Sequence, residues 1–135
     1  MYINTNVMIA LAEPNDIYHA EVVRFIREAR RRKWTLITSN VLLEEMRGQR
    51  SERKVLETIR KYSIKLHTLH LKSIERRARE HILKRRLSVK RLFDIMHILA
   101  AKKLNAEYIV TYDTKLKRIA RKFKLKAYRP GELLQ

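Results

Sequence analysis

The sequence predicts an α/β protein: one domain over residues 1–135, with a central, mostly parallel sheet of about five strands between two layers of helices. Three observations predict it. Short apolar runs alternate with longer segments of helical periodicity from one end of the chain to the other. The apolar runs stop at small polar residues, as buried parallel strands do at a turn. No linker, internal repeat or low-complexity tract interrupts the alternation, and 135 residues suffice for one core.

The elements follow in order. Met1, Tyr2 and Ile3 form the first strand, and Asn4-Thr5-Asn6 is the turn at its carboxyl end. Val7 starts a helix that Asn or Thr can cap, and Glu13-Pro14-Asn15-Asp16 breaks it. Asp16 is placed to cap the next helix, whose apolar side is Val22, Val23, Phe25, Ile26 and Ala29. Arg30-Arg31-Arg32-Lys33 closes that helix with cations at its negative pole. Residues 34–38 read as a second strand stopped by Ser39-Asn40, with a helix from Val41 to near Gly48. Ser51 opens a helix with Val55, Leu56, Ile59 and Tyr62 on one side, and residues 64–69 form a weak edge strand. Leu71, Ile74, Ala78, Ile82 and Leu83 mark a further helix. Asp94 heads a helix that is apolar all round and so crosses the core. Residues 107–110 form a strand stopped by Thr111-Tyr112-Asp113, Leu116 to Phe123 a short helix, and residues 125–128 the last strand before Pro130-Gly131.

Charge is the outlier in composition. Lys and Arg number 32 against 14 Asp and Glu, a net +18. Such a field draws polyanions, phosphate backbones first, although an anionic membrane or an acidic protein also satisfies it. A charged fraction of 34% with two Gly and two Pro also resembles a thermophile's surface, where such charge serves heat tolerance, so charge alone does not establish nucleic-acid binding. With no Cys, disulfides, thiolate zinc ligands and thiol nucleophiles are excluded, which fits a reducing, cytoplasmic setting. No apolar run is long enough to span a membrane, and no signal peptide is expected. Two glycines leave no room for a Gly-rich phosphate loop, and no Ser–His–Asp arrangement is visible.

The chemistry lies where polar residues interrupt apolar runs. Asn4 ends the first strand, Glu45 sits in the helix after the second, Asp94 heads the buried helix and Asp113 follows the fourth strand. In a parallel sheet these positions share one edge and converge. Taken singly, they read as a turn residue, a surface helix residue, a helix cap and a turn residue. Brought together, carboxylates repel, and a hard cation such as Mg²⁺ or Mn²⁺ relieves the repulsion. Acids converging within a basic protein suggest metal-dependent phosphodiester cleavage.

These segments resemble PIN-domain nucleases. Tyr2-Ile3-Asn4-Thr5-Asn6-Val7 is similar to the family's opening strand, an apolar pair followed by Asp, Thr, Asn and an apolar residue. Residues 38–45 resemble its second motif, whose acid lies six residues after Ser39, which selects Glu45 over Glu44. Residues 94–101 resemble its Asp-led helix, Thr111-Tyr112-Asp113 its Thr-x-Asp, and residues 128–133 its usual ending. The match runs the whole chain in order, and the size resembles the VapC toxins of type II toxin–antitoxin pairs. The resemblance implies a three-layer PIN-like domain and an endoribonuclease holding Mg²⁺ or Mn²⁺ through Glu45, Asp94, Asp113 and an acid at position 4. A polarised water would attack phosphorus in line, expel the 3′ oxygen and leave a 5′-phosphate. RNA as substrate and a cognate VapB-like antitoxin follow from the same resemblance.

The chain departs from the pattern at position 4, where Asn stands in place of Asp. An amide offers one neutral oxygen and no charge. Either an engineered change has inactivated the chain, or the natural protein has diverged and only binds RNA or an antitoxin. An additional acid frequent in the family shortly after Asp113 is also missing. A plain nucleic-acid-binding protein with structural acids is the third reading. Thr5, Ser39 and Thr111 are expected to support the site, with capping as the alternative for the first two, and Asn6 to brace the loop. His97, one helical turn from Asp94, reads more readily as a packed core histidine, and His67 and His70 lie in poor ligand contexts. The helices at residues 51–62 and 71–83 are expected to form an arm beside the cleft, with a groove for a homodimer partner or an antitoxin helix.

Overall fold

The computed structural model describes all 135 residues. Five strands, β1 (Tyr2–Ile3), β2 (Ile37–Ser39), β3 (Lys65–His67), β4 (Tyr108–Val110) and β5 (Lys126–Tyr128), form one sheet in the order β3-β2-β1-β4-β5. Every pairing is parallel, so the sheet is wholly rather than mostly parallel. The helices are α1 (Thr5–Ala12), α2 (His19–Arg31), α3 (Asn40–Met46), α4 (Glu52–Lys61), α5 (Leu71–Arg85), α6 (Leu92–Lys103) and α7 (Thr114–Lys122), with short 3-10 turns at Val89–Arg91 and Pro130–Leu134. The chain builds outward from β1 first to one side and then to the other. The strand order therefore switches between β1 and β4, and in such sheets ligands bind beyond the carboxyl ends at the switch.

Side chains alternate across each strand, and this alternation makes the three layers. Tyr2 and Ile109 enter a core with Ile74, Ala78 and Ile82 of α5, most of α6, and Leu116, Ile119 and Ala120 of α7. Ile3 and Val110 enter the opposite core with α1, α2 and Val55 and Ile59 of α4. The apolar sequence of α6 is accounted for by its burial from Ile95 to Ala101.

With two glycines in the chain, five helices end on other residues in the left-handed region: Lys33, Ser63, Arg86, Asn105 and Lys124, at φ of 53 to 60°. Each closure places the next amide on the carbonyl five residues back, as in Trp34 to Ala29, Ile64 to Ile59, Leu87 to Ile82, Ala106 to Ala101 and Leu125 to Ala120. This is the Schellman arrangement, with an apolar residue following the left-handed one. It shortens the strands relative to expectation, because Trp34 and Leu125 belong to helix closures and not to β2 and β5.

Further expectations are corrected. The turn after β1 is a single residue: Asn4 is extended (φ −73°, ψ 158°) and α1 already includes Thr5 and Asn6. Asp16 accepts from the Tyr18 amide at 2.8 Å and closes a turn, and α2 begins after it at His19. The expected arm of two helices does not form. The apolar side of α4 packs in one core and that of α5 in the other, so the sheet separates them and no groove lies between. Leu83, one of the apolar residues that mark α5, is 80% exposed.

Candidate active site

Asn4 is fixed by the switch point itself. Its amide donates to Val110 O of β4 at 3.0 Å, and its carbonyl accepts from Val7 and Met8 at the start of α1. Its side chain therefore points beyond the sheet. Asn4, Thr5, Asn6, Glu45, Asp94 and Asp113, with Ile9 and Gln49, line one cavity of about 260 Å³ at the carboxyl edge. The four positions singled out as a site thus meet. Larger depressions lie elsewhere, one at the amino edge lined by Met1, Trp34 and His67, another by Lys102, Glu107 and Lys124; neither gathers acids.

Each of the four is held by one side-chain atom while another is left over. Asn4 Nδ2 donates to Thr111 Oγ1 at 2.9 Å, whereas Asn4 Oδ1 is buried without a hydrogen-bond partner. Glu45 Oε1 accepts from Thr5 Oγ1 at 2.6 Å and His97 Nε2 at 2.8 Å, which leaves Oε2 free. Asp94 Oδ2 accepts from Arg91 Nη1 at 3.0 Å, leaving Oδ1. Asp113 caps α7 through Oδ1, which accepts from Lys115 N and Leu116 N at 2.8 and 3.2 Å. Its Oδ2 has only Arg91, at 3.9 Å.

The charge of the cavity shows in its acids. Burial, with the Asp113 carboxylate nearby, pushes the Asp94 carboxyl up to about 6, against the pull of Arg91. Burial would raise Glu45 as well, but the hydrogen bond and field of His97 and the Thr5 hydroxyl hold it below the ordinary glutamate range.

A buried relay stands behind Glu45. His97 Nδ1 lies 2.7 Å from the Tyr2 hydroxyl, which lies 2.7 Å from Ser39 Oγ. Every group is satisfied if Ser39 donates to Tyr2, Tyr2 to Nδ1, and Nε2–H to Glu45. Burial pushes the Tyr2 phenol up, which keeps it a donor. Ser39 thus stands outside the cavity and reaches Glu45 only through Tyr2 and His97, while also accepting from Val41 N at 3.3 Å. Thr111 likewise sits behind the cavity, and Asn6 braces the loop, donating to Thr111 and accepting from Tyr112 N. His97, expected to be core packing, is buried yet bonded to a cavity acid; its spacing of three from Asp94 was the available signal. Tyr2, Arg91 and Gln49 had not been singled out, and for Tyr2 an apolar strand gives no such signal.

The donor set fits a hard cation. The unpartnered Asn4 Oδ1 and the spare carboxylate oxygens are all oxygen donors, the chemistry such ions take. No three acidic or histidine side chains form a ready-made ligand set.

Comparison with known proteins agrees with the fold. The PIN domain family model matches residues 1–122, and the chain belongs to this family. Among solved structures it is similar to VapC20 of Mycobacterium tuberculosis, a Sarcin-Ricin loop cleaving toxin, at 16% identity and a TM-score of 0.63, over 87% of this chain and 93% of that one. VapBC2 from Rickettsia felis, solved with a DNA fragment from its promoter, matches at 16% identity and 0.63, over 93% and 95% of the two chains. FitAcB from Neisseria gonorrhoeae matches at 16% and 0.62, over 96% of each chain. No curated protein matches by sequence. At these identities the structural likeness speaks for the fold. No helix is long and apolar enough to cross a membrane.

Proposed function

We propose that this chain is a divalent-metal-dependent endoribonuclease of the VapC toxin type. The observation that carries the reading is the single cavity in which Asn4, Glu45, Asp94 and Asp113 each keep a side-chain oxygen unpaired or only distantly approached by the protein. Asn4, Asp94 and Asp113, with Glu45, would hold Mg²⁺ or Mn²⁺. Bound there, the cation supplies charge at the phosphoryl oxygens and acidifies a water.

The chain's own residues do the rest. Thr5 and His97 fix Glu45 by Oε1, so Oε2 is the oxygen left to face the cation or its water. Asp113, pinned by the first turn of α7, and Asp94, on the first turn of α6, hold their free oxygens on rigid helix ends. The net +18 draws the RNA strand. A cognate VapB-like antitoxin and a homodimer are the proposed partners, and the cytoplasm the proposed setting; solution mass alone and with the product of the neighbouring gene tests the partners.

A second reading has an observation in its favour. Asn4 lacks the charge of the family's acid, so the chain as it stands would be a weakened nuclease or a module that only binds RNA or an antitoxin. Incubating a mixed RNA pool with this chain and its Asn4→Asp variant, in Mg²⁺, Mn²⁺ or EDTA, separates the two. The nuclease reading expects faster cleavage by Asn4→Asp, abolished by EDTA. Binding without cleavage in either chain would leave the binding module, and cleavage surviving EDTA would sink the metal mechanism.

A further inference from the structure

Arg91 ends the 3-10 turn Val89–Arg91, three residues before Asp94. Its Nη1 donates to Asp94 Oδ2 at 3.0 Å and lies 3.9 Å from Asp113 Oδ2. The side chain is 24% exposed, whereas Arg47 and Arg53 pair with glutamates at 76% and 91%. A guanidinium half removed from water between two acids of the cavity is there as their counter-ion, since burying either sign alone is costly.

A divalent cation and a guanidinium compete for the same two carboxylates, because like charges repel at close range. The turn preceding α6 tethers Arg91 beside the cavity acids wherever its guanidinium goes. Its planar fork of donors fits a phosphodiester better than a point charge does. We propose that Arg91 is a resident counter-ion, displaced from Asp94 and Asp113 by the divalent cation and thereby freed to bind the phosphate of the RNA strand. Arg91 then sets how tightly the cavity takes its cation, and couples cation binding to RNA binding.

The proposal rests on the metal-dependent reading above, and its test keeps the two apart. Mn²⁺ is titrated by calorimetry into this chain and Asn4→Asp, each with and without Arg91→Gln. Lys122→Gln, a charge removed at the far end of α7, controls for overall charge. Removing the competitor is expected to tighten Mn²⁺ about tenfold, with Lys122→Gln near parent. Binding of a labelled single-stranded DNA oligonucleotide, which a ribonuclease leaves intact, is measured in Mn²⁺ and in EDTA. Arg91→Gln is expected to weaken it about threefold to tenfold in Mn²⁺ and to leave it unchanged in EDTA. Should Arg91→Gln fail to melt cooperatively, Arg91→Lys carries the test: it keeps the competing charge, so Mn²⁺ affinity holds, and loses the fork, so oligonucleotide affinity in Mn²⁺ falls. Unchanged or weaker Mn²⁺ binding in Arg91→Gln, or equal oligonucleotide loss with and without metal, overturns the proposal and leaves the nuclease reading standing. Absence of Mn²⁺ binding in every variant removes both.

Discussion

Replacing Asn4 by Asp exchanges a neutral amide for a carboxylate at a position 5% exposed, beside three other acids in one cavity. The backbone holds position 4 in either case, through Val110 O and the start of α1. Thr111 can serve the new residue by turning its hydroxyl to donate. Without metal the change is costly. Each neighbouring carboxylate opposes the new charge by about 1–3 kcal/mol at an effective dielectric near 20. Arg91, and protonation of one of the crowded carboxyls, offset most of this, so a net loss of about 2–3 kcal/mol is expected, a melting temperature lower by roughly 6–15 °C. With Mn²⁺ the sign reverses. The added charge tightens the cation, and a ligand at about 100 times its dissociation constant stabilises by about 2.7 kcal/mol. Melting followed by circular dichroism in EDTA and in millimolar Mn²⁺ reads both effects. Asn4→Asp should melt below the parent in EDTA and gain more than the parent from Mn²⁺. Equal gains in the two chains, or none, would refute the reasoning that position 4 faces the cation.

Further outcomes follow from the same geometry. Asp94 is held up at about 6, above its unfolded value, so in metal-free protein its ionisation penalises folding above that pH and the penalty fades as pH falls toward 4. Metal-free protein should therefore gain about 1–2 kcal/mol between pH 7 and 5, measured by urea unfolding, and Asp94→Asn should lack this gain. Glu45, held low, acts in the opposite sense only below its ordinary range and does not enter this window. His97→Ala leaves the Tyr2 hydroxyl with Ser39 alone and loosens Glu45; a loss of about 2–4 kcal/mol and of most RNA cleavage is expected, with His97→Gln recovering part of the cleavage. Ser63→Gly and Lys124→Gly relieve the left-handed strain at helix closures and should each stabilise by about 0.5–1 kcal/mol in thermal melts.

The strand–helix alternation was legible because burial on both faces forces apolar runs and their polar stops. The convergence of Asn4, Glu45, Asp94 and Asp113 was legible for the same reason, since a parallel sheet puts all its carboxyl ends on one edge. The helix closures were not legible, because Lys33 and Lys124 carry no sign of a left-handed backbone that glycine would have announced. The arm of α4 and α5 failed because amphipathicity says that a face is buried but not against which side of the sheet. His97 was weighed as packing because burial and bonding to Glu45 coexist in one side chain, and only three-dimensional contact separates them. Arg91 was lost among 32 cations, since nothing in the sequence marks which one turns inward.

The central claim is that these four side chains make one cation site. Crystals of Asn4→Asp grown with Mn²⁺, measured at the manganese absorption edge, test it most directly. The account predicts one anomalous peak in the cavity at the carboxyl edge, about 2.1–2.3 Å from side-chain oxygens of position 4 and of Asp94 or Asp113, with Arg91 turned away from Asp94. A peak elsewhere, or no peak while Arg91 still bridges Asp94 and Asp113, would contradict it.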